Sequence, residues 1–369
     1  MKNIKELLAS NSVKTISLFS GAGGLDVGAI LAGAKIIWAN DVMKEACNSY
    51  SKNIGTHICQ GDINSFITSL SQFKGVDLVI GGPPCQGFSV AGKMDEADER
   101  SKLIWSYVKV IETISPKAFV MENVKALGVL ERWSSVRNVL LKRLQNLGYS
   151  VNFCILNASD YDVPQARERI FIIGFKGSTF ASPDLESMLE PYKKKAKSVR
   201  EALSVLDKAG TGNNISVCNA KITLTTNPVL RKSPYAGMLF NGLGRPIKLD
   251  GYSATLPASM GGNKTPIIDE DALYLHSRPW VEEYHERLLK DVSIAKTEIA
   301  PQCLRRLTID EARVIQTFPM EYEFSGSQSS QYTQIGNAVP CNLARAVCSM
   351  VINVLQGRMP ILYSGLFNQ

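Results

Sequence analysis

Between residues 13 and 175 the chain repeats one pattern: a short run of apolar, β-prone residues, a turn rich in glycine or acidic residues, then an amphipathic segment. The runs are VKTISLF, AKIIWAN, VDLVIGG, KAFVMEN, SVNFCIL and RIFIIGF. They are apolar throughout rather than alternating, as strands covered on both faces are. Residues 102–114 and 133–147 carry apolar side chains at helical spacing. This alternation leaves few folds open. It predicts an α/β fold, a doubly wound, mostly parallel sheet with helices on its faces. In such sheets ligands sit beyond the carboxyl ends of the strands, so the residues just after each run are where chemistry is expected.

After about residue 177 the texture changes. Pro183, Pro191, Pro228, Pro234, Pro246, Pro257 and Pro266, with many glycines, interrupt any clear period. The expected organisation is a first domain over 1–177, a smaller, loop-rich domain over 178–300, a hinge and support segment over 301–330, and a return to the first domain over 331–369. The helical pattern resumes near 305 in RRLTIDEARVIQTF, and residues 339–355 read as a final apolar helix.

Composition narrows the class further. Hydrophobic residues make up 45% and charged residues 20%, a globular balance that excludes long disorder. The N-terminus has no secretory core, and no uninterrupted apolar run reaches the roughly 18 residues of a membrane span. A cytoplasmic protein is expected, with its 8 cysteines as free thiols. No C-x-x-C pair occurs, and His57, His276 and His285 have no ligand spacing, so no metal is expected. The net charge of +7 suits a polyanionic partner. The lysine run from Lys193 to Lys197 reads best as a solvated face.

The strand tips carry the candidate chemistry. The first run ends in Phe19-Ser20-Gly21-Ala22-Gly23-Gly24-Leu25-Asp26, whose glycines let backbone approach a ligand closely. Asp26 stands where the third glycine of the dinucleotide fingerprint would be, so a dinucleotide is not indicated. Asp41 follows the second run, and an acid about 20 residues past such glycines binds ribose hydroxyls in doubly wound folds. Asp62, in Gly61-Asp62-Ile63, can accept from an adenine amino group. Either acid alone would read as a helix cap, but their joint spacing favours an adenosyl ligand.

In Gly81-Gly82-Pro83-Pro84-Cys85-Gln86-Gly87-Phe88-Ser89 a thiol sits on a stiffened turn at a strand end, where nearby helix N-termini and cations can lower its pKa. Met121-Glu122-Asn123-Val124 brings a carboxylate to a neighbouring tip, so a nucleophile and an acid can share one mouth. Gln165-Ala166-Arg167-Glu168-Arg169 sets two arginines at the start of a strand. Alternation points them to one face, suited to a phosphate or a base carbonyl.

The segments FSGAGGLD, GGPPCQGFS, MENV, QARER, RRLTIDEARVIQTFP and YTQIGNAVP resemble, in order, the motif series of the cytosine-5 DNA methyltransferases of bacterial restriction-modification systems. The likeness covers about 16 to 176 and 305 to 343, and the region 178–300 matches the family's target-recognition region in position and size. The resemblance implies a Rossmann-like fold that binds S-adenosyl-L-methionine, releases S-adenosyl-L-homocysteine and uses no metal. It implies a cofactor pocket of Phe19, Gly21, Gly23, Gly24, Leu25, Asp41, Val42, Asp62, Ile63, Pro84, Leu103 and Asn337. It implies Cys85 as nucleophile, with Glu122, Arg167 and Arg169 around the cytosine.

Double-stranded DNA is the implied partner, its target base flipped out of the stack as methyltransferases require. Gln86, Ser89, Thr255, Ser259, Asn263 and Lys264 are the implied DNA contacts, and Thr255-Leu256 resembles a dipeptide common in the family's recognition regions. A monomer is expected, nucleoid-associated when on DNA, with a separate cognate endonuclease as its counterpart. An RNA (tRNA) cytosine-5 methyltransferase would keep the same motifs, but the long middle region argues for DNA. A cofactor-binding module without turnover would have no need of Cys85 and Glu122.

Overall fold

A computed structural model describes residues 4–84, 102–177 and 181–363. The chain forms two compact units. One comprises Met1–Asp162, Glu168–Lys195 and Val339–Gln369, the other Val163–Arg167 and Ala196–Ala338.

The first unit is built on a seven-stranded sheet. Its strands are β1 (Val13–Leu18), β2 (Ala34–Asp41), β3 (Ile58–Gln60), β4 (Leu78–Gly81), β5 (Ala118–Val124), β6 (Tyr149–Asn157) and β8 (Glu168–Lys176); β7 (Gln165–Ala166) belongs to the other unit. They lie in the order β3-β2-β1-β4-β5-β8-β6. Neighbours from β3 to β5 are parallel, whereas β8 runs against both β5 and β6. The chain winds outward from β1 to β3 and then resumes on the other side of β1 at β4. That reversal is the topological switch point at which doubly wound sheets open a crevice.

Burial explains why these runs became strands. Every residue of β4 is buried, as are all but one of β1. The helices of this unit are α1 (Ile4–Ser10), α2 (Gly24–Ala32), α3 (Lys44–Asn53), α4 (Lys102–Ile114), α5 (Lys125–Val129), α6 (Ser134–Asn146) and α7 (Leu185–Leu189), with a closing helix Cys341–Leu355. On α4 the residues Ile104, Tyr107, Val108, Ile111 and Ile114 recur at three- and four-residue steps. They enter one core with Ile16, Leu18, Val79, Phe119 and Met121 of the strands and Leu140 and Leu144 of α6.

The second unit has short strands and two smaller cores. Its helices are α8 (Val199–Leu203), α9 (Glu270–Leu275), α10 (Trp280–Lys290), α11 (Ile309–Ile315) and α12 (Gln328–Asn337). β9 (Leu224–Val229) pairs antiparallel with β10 (Met238–Phe240), β11 (Ser253–Ala254) lies parallel to β7, and β12 (Ile267–Asp269) pairs antiparallel with β13 (Leu304–Arg306). Leu256, Met260, Ile309, Ala312, Tyr332 and Ile335 share one core; Leu239, Phe240, Val281, Tyr284 and Leu288 share the other.

The boundaries differ from the sequence expectation. The first unit runs to Lys195 rather than ending at 177, because Asn152 Nδ2 donates to Pro183 O at 2.9 Å and Asn353 Nδ2 to Tyr192 Oη at 2.6 Å. The second unit takes in 301–338, the expected hinge and the start of the expected return, since α11 and α12 supply part of its core. The helix expected near 305 begins only at Ile309, where Thr308 and Glu311 form a reciprocal capping box. Lys193 and Lys194 are exposed and pair with Glu190 and Asp162, as a solvated face would. The stretch Gln328–Leu355 is long and apolar enough to cross a bilayer by composition, but it is two helices parted at residues 338–340 and is mostly buried.

On α2, Asp26 is fully buried and accepts a hydrogen bond from Tyr50 Oη at 2.9 Å. Burial pushes its carboxyl up to about 7, with hydrogen bonding pulling the other way. An acid whose folded pKa is raised favours the folded state below its ordinary range and loses that contribution as pH rises through about 7. Urea unfolding of Asp26→Asn should therefore show stability relative to the parent improving as pH is raised from about 5 to 8. A difference independent of pH would contradict this account of Asp26.

Candidate active site

Three strand tips form one face of the site. After β1 the chain turns through Phe19 and Gly21 with φ of 53° and 54°, and Gly23, at φ 86°, caps α2 in the left-handed region. A non-glycine residue at 21 or 23 would be strained there. A Cβ on Gly21 would meet nothing within 4 Å, so the turn leaves open space above its backbone. Gly24 and Leu25 begin α2 and are buried.

Asp41 closes β2 and braces that turn. Its Oδ2 accepts from Gly21 N at 2.7 Å and its Oδ1 from Met43 N at 2.8 Å. Burial raises its carboxyl above the ordinary value while these amides pull it down. Each oxygen keeps a lone pair for a further donor. Val42, beside it, is 67% exposed, an apolar surface left in the open. The third tip follows β3: Asp62 Oδ1 accepts from both Asn64 N and Asn64 Nδ2 at 2.9 Å, and Ile63 is buried behind it. Ser106 on α4 donates to Asn64 Oδ1 at 2.8 Å, joining that turn to the helix that also carries Leu103. Asn40 Nδ2 ties the tips together by donating to Cys59 O and Gly61 O, each at 2.9 Å.

The other face lies where β4 and β5 end. Glu122 Oε1 is 2.9 Å from Arg169 Nε, with side chains 12% and 15% exposed. β8 delivers the arginine: it runs antiparallel to β5, with Arg169 opposite Val124. Gly82 passes so near that a Cβ there would sit 3.0 Å from Glu122 Oε2. Asn123, whose own role its motif does not reveal, is buried and donates through Nδ2 to Pro83 O at 3.0 Å, while its Oδ1 accepts from Val124 N. It pins the main chain just ahead of Pro84. In the sequence the only signal is an amide next to a strand-end acid, Glu122-Asn123.

Cys85, Gln86 and Ser89 lie outside the described residues. The two arginines of QARER hold different groups. Residue 167 falls in the break between β7 and β8, so strand alternation does not carry across it. Arg167 is buried in the second unit and donates to Leu256 O and Gly336 O, whereas Arg169 holds Glu122 in the first. Asn337 ends α12 in the second unit. Thr255, Ser259, Asn263 and Lys264 are exposed there, with Leu256 and Met260 buried between them. Among the described residues no cluster of His, Cys, Asp and Glu could hold a metal ion.

Residues 13–353 match the family described as C-5 cytosine-specific DNA methylase. Among curated proteins, the chain is 31% identical to the Type II methyltransferase M.NgoFVII of Neisseria gonorrhoeae, over 90% of this chain and 84% of that one. It is also 31% identical to the Type II methyltransferase M.FnuDI of Fusobacterium nucleatum, over 95% and 97% of the respective chains. Among solved structures it resembles the S. pombe Dnmt2 methyltransferase, with a TM-score of 0.65 at 18% identity over 95% of this chain and all of that one, a likeness of fold.

Arg169→Met leaves a largely buried carboxylate without its cation, and should lower stability by about 1–3 kcal/mol in urea unfolding. Adding Glu122→Gln should recover part of that loss, because no buried charge then remains. Purely additive losses would mean that the two side chains do not interact.

Proposed function

The chain belongs to the C-5 cytosine-specific DNA methylase family, and on that premise we propose how its residues carry out methyl transfer to carbon 5 of a cytosine flipped out of duplex DNA. The observation that carries the reading is the Glu122–Arg169 pair at the carboxyl edge of the sheet, beside the end of β4 from which the chain leads through Pro83 and Pro84 to Cys85.

Carbon 5 of cytosine is too poor in electrons to take a methyl group unaided. The Cys85 thiolate adds to carbon 6, forming an S–C bond and turning the 5,6 double bond into an enamine with electron density at carbon 5. Glu122, hydrogen-bonded at ring nitrogen 3, stabilises the adduct, and Arg169 both fixes the Glu122 carboxylate and holds the base carbonyl. Once methylated, carbon 5 loses its proton to a base, water being adequate, and the electron pair restores the double bond as Cys85 leaves as thiolate. S-adenosylmethionine, when bound, supplies the electrophilic methyl on its sulfonium.

The first-unit tips fit that cofactor. The open turn at Gly21 has room for an adenosyl group, Asp41 has lone pairs for ribose hydroxyls, Val42 offers an apolar face to the adenine, and Asp62 can accept from its amino group. Phe19, Gly23, Gly24, Leu25, Ile63, Pro84 and Leu103 complete the first-unit part of the proposed set. No residue of this set calls for a metal.

Duplex DNA is favoured over RNA because the similar curated proteins are named Type II methyltransferases. The reading extends to an enzyme that protects DNA from a separate endonuclease, and that works in the cytoplasm as a monomer on its DNA. Target recognition belongs to the second unit, through Thr255, Ser259, Asn263 and Lys264, with Gln86 and Ser89 from the segment after Cys85.

Labelled S-adenosylmethionine mixed with plasmid DNA or with tRNA tests the reading. Label is expected as 5-methylcytosine in the duplex, and label only in tRNA would overturn the choice of substrate. Cys85→Ser should lose nearly all turnover yet keep its fold and DNA affinity, and Glu122→Gln should be slower by about 10²-fold or more. Normal turnover by Cys85→Ser would remove the thiol from the mechanism.

A further inference from the structure

Three side chains outside the proposed chemistry converge within the second unit. Gln165 and Gln316 are 0% exposed and Arg167 is 2% exposed. Gln165 Nε2 donates to Gln316 Oε1 at 2.7 Å, and Gln165 Oε1 accepts from Leu256 N at 3.1 Å. Gln316 Nε2 donates in turn to Ile335 O at 2.7 Å and Ala338 O at 3.0 Å. Arg167 Nη1 donates to Leu256 O at 3.3 Å and its Nη2 to Gly336 O at 3.0 Å.

Both main-chain polar groups of Leu256 are therefore held by side chains from residues 165–167. Thr255, directly before it, is exposed and donates through Oγ1 to Ala166 O at 3.2 Å. At Gly336 a Cβ would lie 2.5 Å from Pro257 O, so α12 meets the segment backbone to backbone. β11 has only two residues, paired with β7, and residues 255–259 lie in no strand. Buried main-chain groups need partners, and here side-chain amides and a guanidinium provide them.

We propose that Gln165, Arg167 and Gln316 are positioning residues for DNA recognition: they fix the pose of the Thr255–Ser259 segment, and so set DNA affinity and sequence choice, without touching DNA. Arg167 on this account acts on the protein's own main chain rather than on the cytosine. The proposal rests on the reading of Thr255 as a DNA contact.

Affinity for duplex DNA, affinity for S-adenosylmethionine and amide exchange at Leu256 are measured in the full chain for Gln316→Leu, Arg167→Met and Thr255→Val, and for each of the first two combined with Thr255→Val. Gln316→Leu and Arg167→Met should each weaken DNA binding roughly tenfold, a usual size of coupling within one hydrogen-bond network. Cofactor affinity should hold and Leu256 exchange should quicken. Adding Thr255→Val should cost nothing more, since the pose of that side chain is already lost. Arg167→Met leaves the glutamine pair intact and carries the test if Gln316→Leu does not fold. Parental DNA affinity in the clamp variants, or losses that add in full to that of Thr255→Val, would overturn the proposal. A silent Thr255→Val accompanied by faster Leu256 exchange in Gln316→Leu overturns instead the reading of Thr255 as a contact, and the proposal with it.

Discussion

A carboxylate and a guanidinium meet at the carboxyl edge of this sheet because one strand runs the wrong way. β8 is antiparallel to β5, so its first residues lie beside the last residues of β5, and Arg169 reaches Glu122 at 2.9 Å. Had β8 been parallel, its start would lie at the opposite edge, a full strand length from Glu122. The pair is largely shielded from water, which strengthens a charge-assisted hydrogen bond and makes an unpaired partner costly. Gly82 then lets the end of β4 pass the same carboxylate. Asn123 fixes Pro83, and the chain that leads on to Cys85 leaves the sheet from a fixed point.

The opposite side of the crevice shows a similar economy. Asp41 serves the fold and the proposed ligand together, because its carboxylate braces the glycine turn through Gly21 N and Met43 N and each oxygen can still accept from a further donor. A group that already orders its own turn is pre-organised, so little ordering cost is left for binding. The Ser106–Asn64–Asp62 chain does the same for the third tip.

Much of this was legible in the sequence because strands buried on both faces write themselves as continuous apolar runs, and all six expected runs are strands. The tips were legible for a related reason: clustered glycines and acids interrupt the apolar runs that such strands need. β3 was missed because three residues are too short to form a pattern. The extent of the first unit past 177 rests on contacts such as Asn353 to Tyr192, far apart in sequence, which no local period records. Arg167 and Arg169 look equivalent as text, yet one is buried against main-chain carbonyls and the other holds a carboxylate. Tertiary placement, not spacing, separates them.

The central claim is a covalent bond between Cys85 and carbon 6 of the target base. Duplex DNA with 5-fluorocytosine in place of part of its cytosine tests it directly, since the adduct forms and is methylated but carbon 5 then has no proton to lose. With S-adenosylmethionine present, mass spectrometry of the denatured, digested complex should find the nucleotide attached to the peptide that contains Cys85. A nucleotide attached elsewhere, or DNA released unmodified from an enzyme that methylates ordinary duplex, would contradict the account.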